Sequence, residues 1–492
     1  MPHRWCACLL MLLSSVAWVE GNINSSRAAH KNASTKLPVT TSSPQARKCF
    51  QRAMQNLEYI RRDEALQDLR EATKADPNFA QALILISHLT HDPEEQRTTR
   101  TRAQKVTGRL TPAERLLIRW LGGVQEDNYV PAIAAMNDLL SQFPGDQRLA
   151  FLAGRWLVHQ ERYAQGIVVL ERAVTLEPDY PAALNELGYA YAFSGDFEKG
   201  IAAMDRYVAL QPDQPNPHDS YGEILRLAGK FDAALEQYRT SIRIDPNFGS
   251  ELGVADTYAV MGKEDEARDE YARAIVFTTS ENDKVEYELQ SAVTWIRENN
   301  RKQAERALGE VAKHAHMVGL ARLEAEAHRA LAIYEPDHKA AMKQLQAAQA
   351  ALDEHHEISR TDRDEEHARI LRVRAVRSAE AQDMASASAE VKQLENMTQN
   401  SRSQVIELSY HAAAGAVLAA QEKYAEAIPH LEEDSVDPLS MKLLWRAYSS
   451  SGETGQAQAL AAKLSTLNVP TLEQALVVPS FRASLVSRAG QP

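Results

Sequence analysis

The stretch that decides the fold is PAALNELGYAYAFSGDFEKGIAAMDRYVALQP, residues 181–212. It opens and closes on proline, and Ser194-Gly195-Asp196 breaks it near the middle. Leu184, Leu187 and Tyr191 precede the break at helical spacing, and Phe197 and Met204 follow it in the same way. Such a pattern predicts two helices folded back on each other. Gly188 lets the first lie close against the second, and the large residues fill the space around that contact. Proline closes the unit because it cannot continue a helix.

The unit recurs. Gly154, Gly188 and Gly222 lie 34 residues apart, as do Pro144, Pro178, Pro212 and Pro246. Leu170, Met204 and Tyr238 keep the same step, and so do the turn glycines Gly195 and Gly229. In Pro181–Pro212, the residues Leu184, Leu187, Gly188, Tyr191, Gly200, Met204 and Pro212 resemble the tetratricopeptide repeat. Tyr221, Gly222, Leu225, Ala234, Tyr238 and Pro246 repeat the likeness, with His218 where a large apolar residue is preferred. The units ending at Pro178 (Gly154, Gly166, Leu170, Ala173) and Pro77 (Ala65, Leu69, Ala72) follow it in part. The link from Tyr207-Val208-Ala209-Leu210 through Pro217–Glu223 also resembles arrays fused to effector domains in bacterial regulators, although here the array follows an export signal and no effector domain is expected. The resemblance implies an all-α fold, a right-handed α-solenoid of tetratricopeptide and degenerate tetratricopeptide-like hairpins.

Composition agrees with this. Apolar residues make up 44% of the 492-residue chain, enough for a large core and against wholesale disorder. The formal charge of -12 is spread along the chain with both signs interleaved, so no basic face for nucleic acid is expected. Residues 1–21 read as a secretory signal peptide, with His3 and Arg4 before an apolar run from Trp5 to Val19 and small-residue cleavage patterns after it. That run is too short for a mature anchor, so an exported protein, periplasmic or secreted and without a transmembrane anchor after cleavage, is expected. Residues 22–46, rich in Ser, Thr and Asn, read as a flexible linker. Asn24, Asn32 and Asn396 begin N-x-Ser or N-x-Thr patterns that arise by chance as readily as for glycans. The array is placed at 47–280, and beyond about Thr279 the period fades while the helical pattern continues. Residues 281–492 are therefore read as degenerate repeats, with a separate helical bundle as the alternative.

Helix starts are marked locally. Thr111-Pro112-Ala113-Glu114 offers a capping hydroxyl, a proline at the first helical position and a reciprocal acid. Ser280 with Asp283, Thr471 with Gln474, and Asp437-Pro438 repeat the logic.

Catalytic motifs do not emerge. His314 and His316 are two apart and point away from each other on a helix, and His355-His356 sits in a charged run. No Cys/His framework accompanies them, so no metal is expected. Gly229-Lys230 and Gly262-Lys263 are inter-helix turns without a P-loop pattern, and no cofactor is expected. Cys49, the one cysteine outside the signal, is expected to pack at the start of the array.

What remains is the inner face, which the first helix of each hairpin lines. Arg148, Phe151 and Arg155, then Asn185 and Tyr189, then Asn216, Asp219, Glu223 and Arg226 are the candidate partner-binding residues. Amides and charges there would bond an extended backbone, and the aromatics would add apolar contact. A protein or peptide partner follows, in a scaffold of the cell envelope. A ligand-sensing array and an enzyme with a site in the C-terminal half are the alternatives.

Overall fold

The computed structural model describes residues 36–489 except 91, 109, 127, 355–357 and 402, with side chains to residue 484 except that of Pro93. The signal sequence, Asn24, Asn32, His355 and His356 lie outside the described residues. Among the described residues there are helices and no strands. The chain divides into two compact units at Ser194/Gly195, whereas the sequence marks only the fading of the repeat near 280.

The first unit holds α1 (Pro44–Glu58), α2 (Arg62–Ala75), α3 (Ala80–Leu89), α4 (Pro93–Lys105), α5 (Pro112–Val124), α6 (Tyr129–Gln142), α7 (Gln147–His159), α8 (Tyr163–Leu176) and α9 (Pro181–Phe193). The pairs α1/α2, α3/α4, α5/α6 and α7/α8 are hairpins, and α9 packs on α7 and α8. The second unit holds α10 (Phe197–Leu210), α11 (Pro215–Leu227), α12 (Phe231–Ile244), α13 (Glu251–Met261), α14 (Glu264–Phe277), α15 (Glu281–Arg297), α16 (Arg301–Met317), α17 (Ala321–Tyr334) and α18 (His338–Glu354). It continues with α19 (Arg360–Glu380), α20 (Met384–Asn400), α21 (Gln404–Ala420), α22 (Tyr424–Glu433), α23 (Pro438–Ser451), α24 (Thr454–Ser465) and α25 (Leu472–Ala489). From α11/α12 to α23/α24 each odd helix forms a hairpin with the next. The chain is thus an all-α solenoid built of helical hairpins.

Local chemistry accounts for these boundaries. The Thr111 hydroxyl accepts from the Glu114 amide while the Glu114 carboxylate accepts from the Thr111 amide, which completes a capping box at α5. Asp146 and Asp437 cap α7 and α23 through their side chains, and Ser280 caps α15. Between α11 and α12, Gly229 takes φ of 73°, which glycine adopts without a steric penalty.

The repeat positions fill the interior. A Cβ on Gly154 would lie 2.6 Å from Leu170, so glycine is what permits α7 and α8 to approach. Tyr238 is wedged between Gly222 of its own hairpin and Gly253 of the next; a Cβ on Gly253 would lie 2.1 Å from its ring. Cys49 is buried in the first unit's core with Phe50 and Phe79. His218, polar at an apolar position, is buried with Nε2 2.9 Å from the Pro212 carbonyl and Nδ1 2.7 Å from the Gln237 amide. Both ring nitrogens are thereby satisfied, which is what permits the substitution.

Candidate functional site: the faces formed by the first helices

In the first unit, Arg148 on α7 pairs through Nε with Glu58 at 2.7 Å, and Arg155 pairs with Glu186 of α9 at 3.2 Å. Burial raises the pKa of Glu186, with Arg155 opposing that shift. Phe151 does not present an apolar surface: it is buried against Tyr180, with ring centroids 5.2 Å apart. A helical face one residue wider than expected faces the core there. Tyr189 is half-buried and stacks on Phe193, and the Oδ1 of Asn185 is buried without a hydrogen-bond partner.

The same unit carries an arrangement that the candidate set missed. Residues 36–43, within the stretch read as a flexible linker, run extended across the N-terminal ends of α3, α5 and α7. The Leu37 amide donates to Asp146 Oδ2 at 2.7 Å, and the Thr40 amide to Glu114 Oε1 at 2.7 Å. The Thr40 hydroxyl donates to Glu114 Oε2 at 2.8 Å. Gln81 Nε2 donates to the Pro38 carbonyl at 2.6 Å, Lys36 pairs with Gln147, and the Thr41 hydroxyl reaches Asp76 at 2.5 Å. Arg47, on the helix that follows, donates to the carbonyls of Val39 and Thr41. Leu37 and Val39 pack on the first core. Glu114 and Asp146 are themselves buried, at 0% and 4% exposure. The capping box was the one sequence signal pointing here; that Glu114 also serves an upstream segment has no local mark.

In the second unit the corresponding face is covered by the chain's own end. Helix α25 packs on α15, α23 and α24. Its Phe481 meets Trp445 edge-on at 5.2 Å, and Val477 and Val478 are buried beside it. The segment before it crosses α11. There Arg226, expected to face a partner, is 4% exposed and donates to the Asn468 carbonyl at 2.8 Å. Arg226 is also paired with Glu223 at 3.3 Å. Burial opposes its charge, but Tyr238, Asp256 and Glu223 outweigh that and raise its pKa. Asp219 accepts from Ser250 at 2.6 Å, and burial pushes its pKa up to about 6. Asn216 accepts from the Tyr207 hydroxyl at 2.7 Å. The structure thus brings Asp219, Glu223 and Arg226 together, and beneath a segment of this chain.

Buried ions lie beside the start of α25: Arg329 comes within 4.0 Å of Glu473 and bonds Glu366 at 2.8 Å, while Arg372 bonds Asp434 and Asp437, just before α23, at 3.2 and 3.0 Å. Arg297 meets Gln474. A cavity of about 130 Å³ beside Glu473 is lined by Leu289, Val293, Arg329 and Thr471, among others. The paired histidines turn to different partners, His314 to Glu281 and Glu288 and His316 to Glu324. Among the described residues no cluster of three or more His, Cys, Asp or Glu could hold a metal, and no helix is long and apolar enough to cross a membrane.

These features define a helical-repeat protein in which extended or helical segments of the chain itself lie against the first helices of its hairpins. Residues 157–224 match the tetratricopeptide repeat family. No curated protein matches the sequence. Among solved structures, the chain is similar to MamA at 21% identity, covering 34% of this chain and 91% of that one, with a TM-score of 0.30. It is similar to YrrB, described as a TPR protein with an unusual peptide-binding site, at 14% identity over 43% and 98% of the two chains, with a TM-score of 0.27. It is also similar to a chain of the APC/C hetero-tetramer Cut9-Hcn1 at 16% identity over 89% and 81%, with a TM-score of 0.38.

Proposed function

We propose that this protein is an exported interaction scaffold of the cell envelope, one that holds a segment of a partner protein along the first helices of its hairpins. The observation that carries this is the seating of residues 36–41. A face that satisfies the amides of Leu37 and Thr40 and the carbonyl of Pro38 with dedicated side chains is built to hold an extended backbone. Its work on this reading is binding rather than catalysis. Export rests on the apolar run from Trp5 to Val19, and the envelope role on compartment and fold together.

Two measurements test it. A reporter active only outside the cytoplasm, fused after residue 46, gains activity if the signal works; an inactive fusion rejects export. A photo-crosslinking residue at Arg155, which is about half exposed, is expected to join the protein to a discrete envelope protein in cells. Cross-links confined to the chain itself would reject the scaffold.

A further inference from the structure

We propose that the Gln81–Glu114–Asp146 face is a sequence-reading site for an extended segment of the form Leu-Pro-x-Thr. Residues 37–40 are its resident occupant, and a partner protein enters by displacing them with a segment of the same chemistry. This rests on the scaffold reading above and gives it a ligand class.

The register comes first. Leu37 and Thr40 are three residues apart, about 10 Å along an extended chain. Asp146 at the start of α7 takes the first of these amides, and Glu114 in the first turn of α5 takes the second. Gln81 at the start of α3 takes the carbonyl between them and also bonds Glu114 at 3.2 Å.

Side-chain selectivity follows from Glu114. Its carboxylate is buried at 0% exposure. It accepts from the Thr111 amide and hydroxyl and from Gln81, all within the unit, and from the Thr40 amide and hydroxyl, both from the segment. A buried carboxylate deprived of donors is costly. Any residue but proline supplies the amide, but only threonine or serine supplies amide and hydroxyl together. Position 38 favours proline for a different reason. Proline fixes its own φ, holds Leu37 extended and carries no amide that would need an acceptor. The ordering cost of binding is thereby reduced. Leu37 supplies the apolar contact with the first core.

Tethering gives the resident segment an effective concentration in the millimolar range, so an external peptide binds weakly until the segment is dislodged. In the full chain, Leu37→Asp with Thr40→Asp sets carboxylates against Asp146 and Glu114. A fluorescent Lys-Leu-Pro-Val-Thr-Thr peptide is then expected to bind at least tenfold more tightly than to the unaltered chain, read by polarisation. A peptide with valine for its first threonine loses at least tenfold, and a scrambled peptide does not bind. Thr40→Val, which removes one hydroxyl and keeps the amide, serves as the gentler variant and is expected to open the site several-fold. Helical circular dichroism and melting confirm that each variant is folded.

Equal peptide binding by the altered and unaltered chains, or equal binding of the scrambled peptide, overturns the proposal. If the Arg155 cross-link to an envelope protein persists while Leu-Pro-x-Thr peptides fail, the ligand class falls and the scaffold stands. Loss of both removes both.

Discussion

Glu264 opens α14 with only 9% of its surface exposed, and its Oε2 has no hydrogen-bond partner. Burial pushes its pKa up to about 7 from an ordinary 4.5, with Arg297 opposing the shift and Glu298 adding to it. Between those pH values the folded chain holds more protons at this site than the unfolded chain does. Stability at this site therefore falls as pH rises from about 4.5 to about 7, and the full penalty is present above that. Glu264→Gln is expected to stabilise the second unit by roughly 1–3 kcal/mol at pH 8. The gain should vanish at pH 4, as seen in urea midpoints at both pH values; a gain independent of pH would show that burial of the charge is not the cause. Packing at single positions is equally consequential. A methyl on Gly253 would meet the Tyr238 ring, fully buried and held from its other side by Gly222. Gly253→Ala is thus expected to cost about 1–3 kcal/mol, whereas Gly455→Ala, with open space at its Cβ, costs nothing measurable in the same melts.

At the scale of the helix and its turn, the hairpin is written in two ways, one legible and one not. The 34-residue step between Gly195 and Gly229 announces the turn. Glu161, one step earlier, occupies the same left-handed conformation at φ 53°, and Gln382 and Glu422 do so in later hairpins. Residue type gives no hint of those turns, because the packing on either side imposes the conformation that glycine would adopt freely. The region beyond 280 looked degenerate for this reason, yet it keeps the central device. Gly415 and Leu431 lie 16 residues apart, as do Gly154 and Leu170, and a Cβ on Gly415 would also come within 2.6 Å of its leucine. That signal was present in the sequence without the prolines that framed it elsewhere. The covered faces were not legible at all. Residues 36–43 and 467–471 have no hydrophobic period, and their partners lie 74 residues away for Thr40 and 242 for Asn468. Position on a helix made Arg226 a candidate for the inner face, and nothing in its local sequence marks that Asn468 covers it. Removal of residues 466–492 is expected to uncover α11, α15 and α23 while leaving the first unit intact. Hydrogen exchange should show at least tenfold faster amides in those three helices and none in 44–176. Unchanged exchange in α15 would mean that α25 contributes nothing to holding that face.

Over the whole molecule, most contacts join a helix to the next helix or the next but one. Stability in such an array is a sum of unit and nearest-neighbour terms, so damage is expected to stay local. The long-range exceptions, residues 36–43, the contacts of α1 with α7 and α9, and α25, each lie within a single unit. Leu170 provides the sharpest test, because it is wholly buried at the closest approach of α7 and α8. Leu170→Ala removes about 2–5 kcal/mol from that contact. In a single cooperative block this loss would lower the protection of every core amide by the same factor. In a chain of neighbours it lowers protection in α7, α8 and α9 and leaves α19 to α24 unchanged, and urea unfolding broadens into more than one transition. Peptide-resolved hydrogen exchange on the folded variant reads both possibilities at once. The local outcome is expected, since Leu170 and the Gly154 it packs against belong to one hairpin. A uniform loss would mean that cooperativity passes through Ser194/Gly195, and the division of the chain into two units would then describe geometry and not energy.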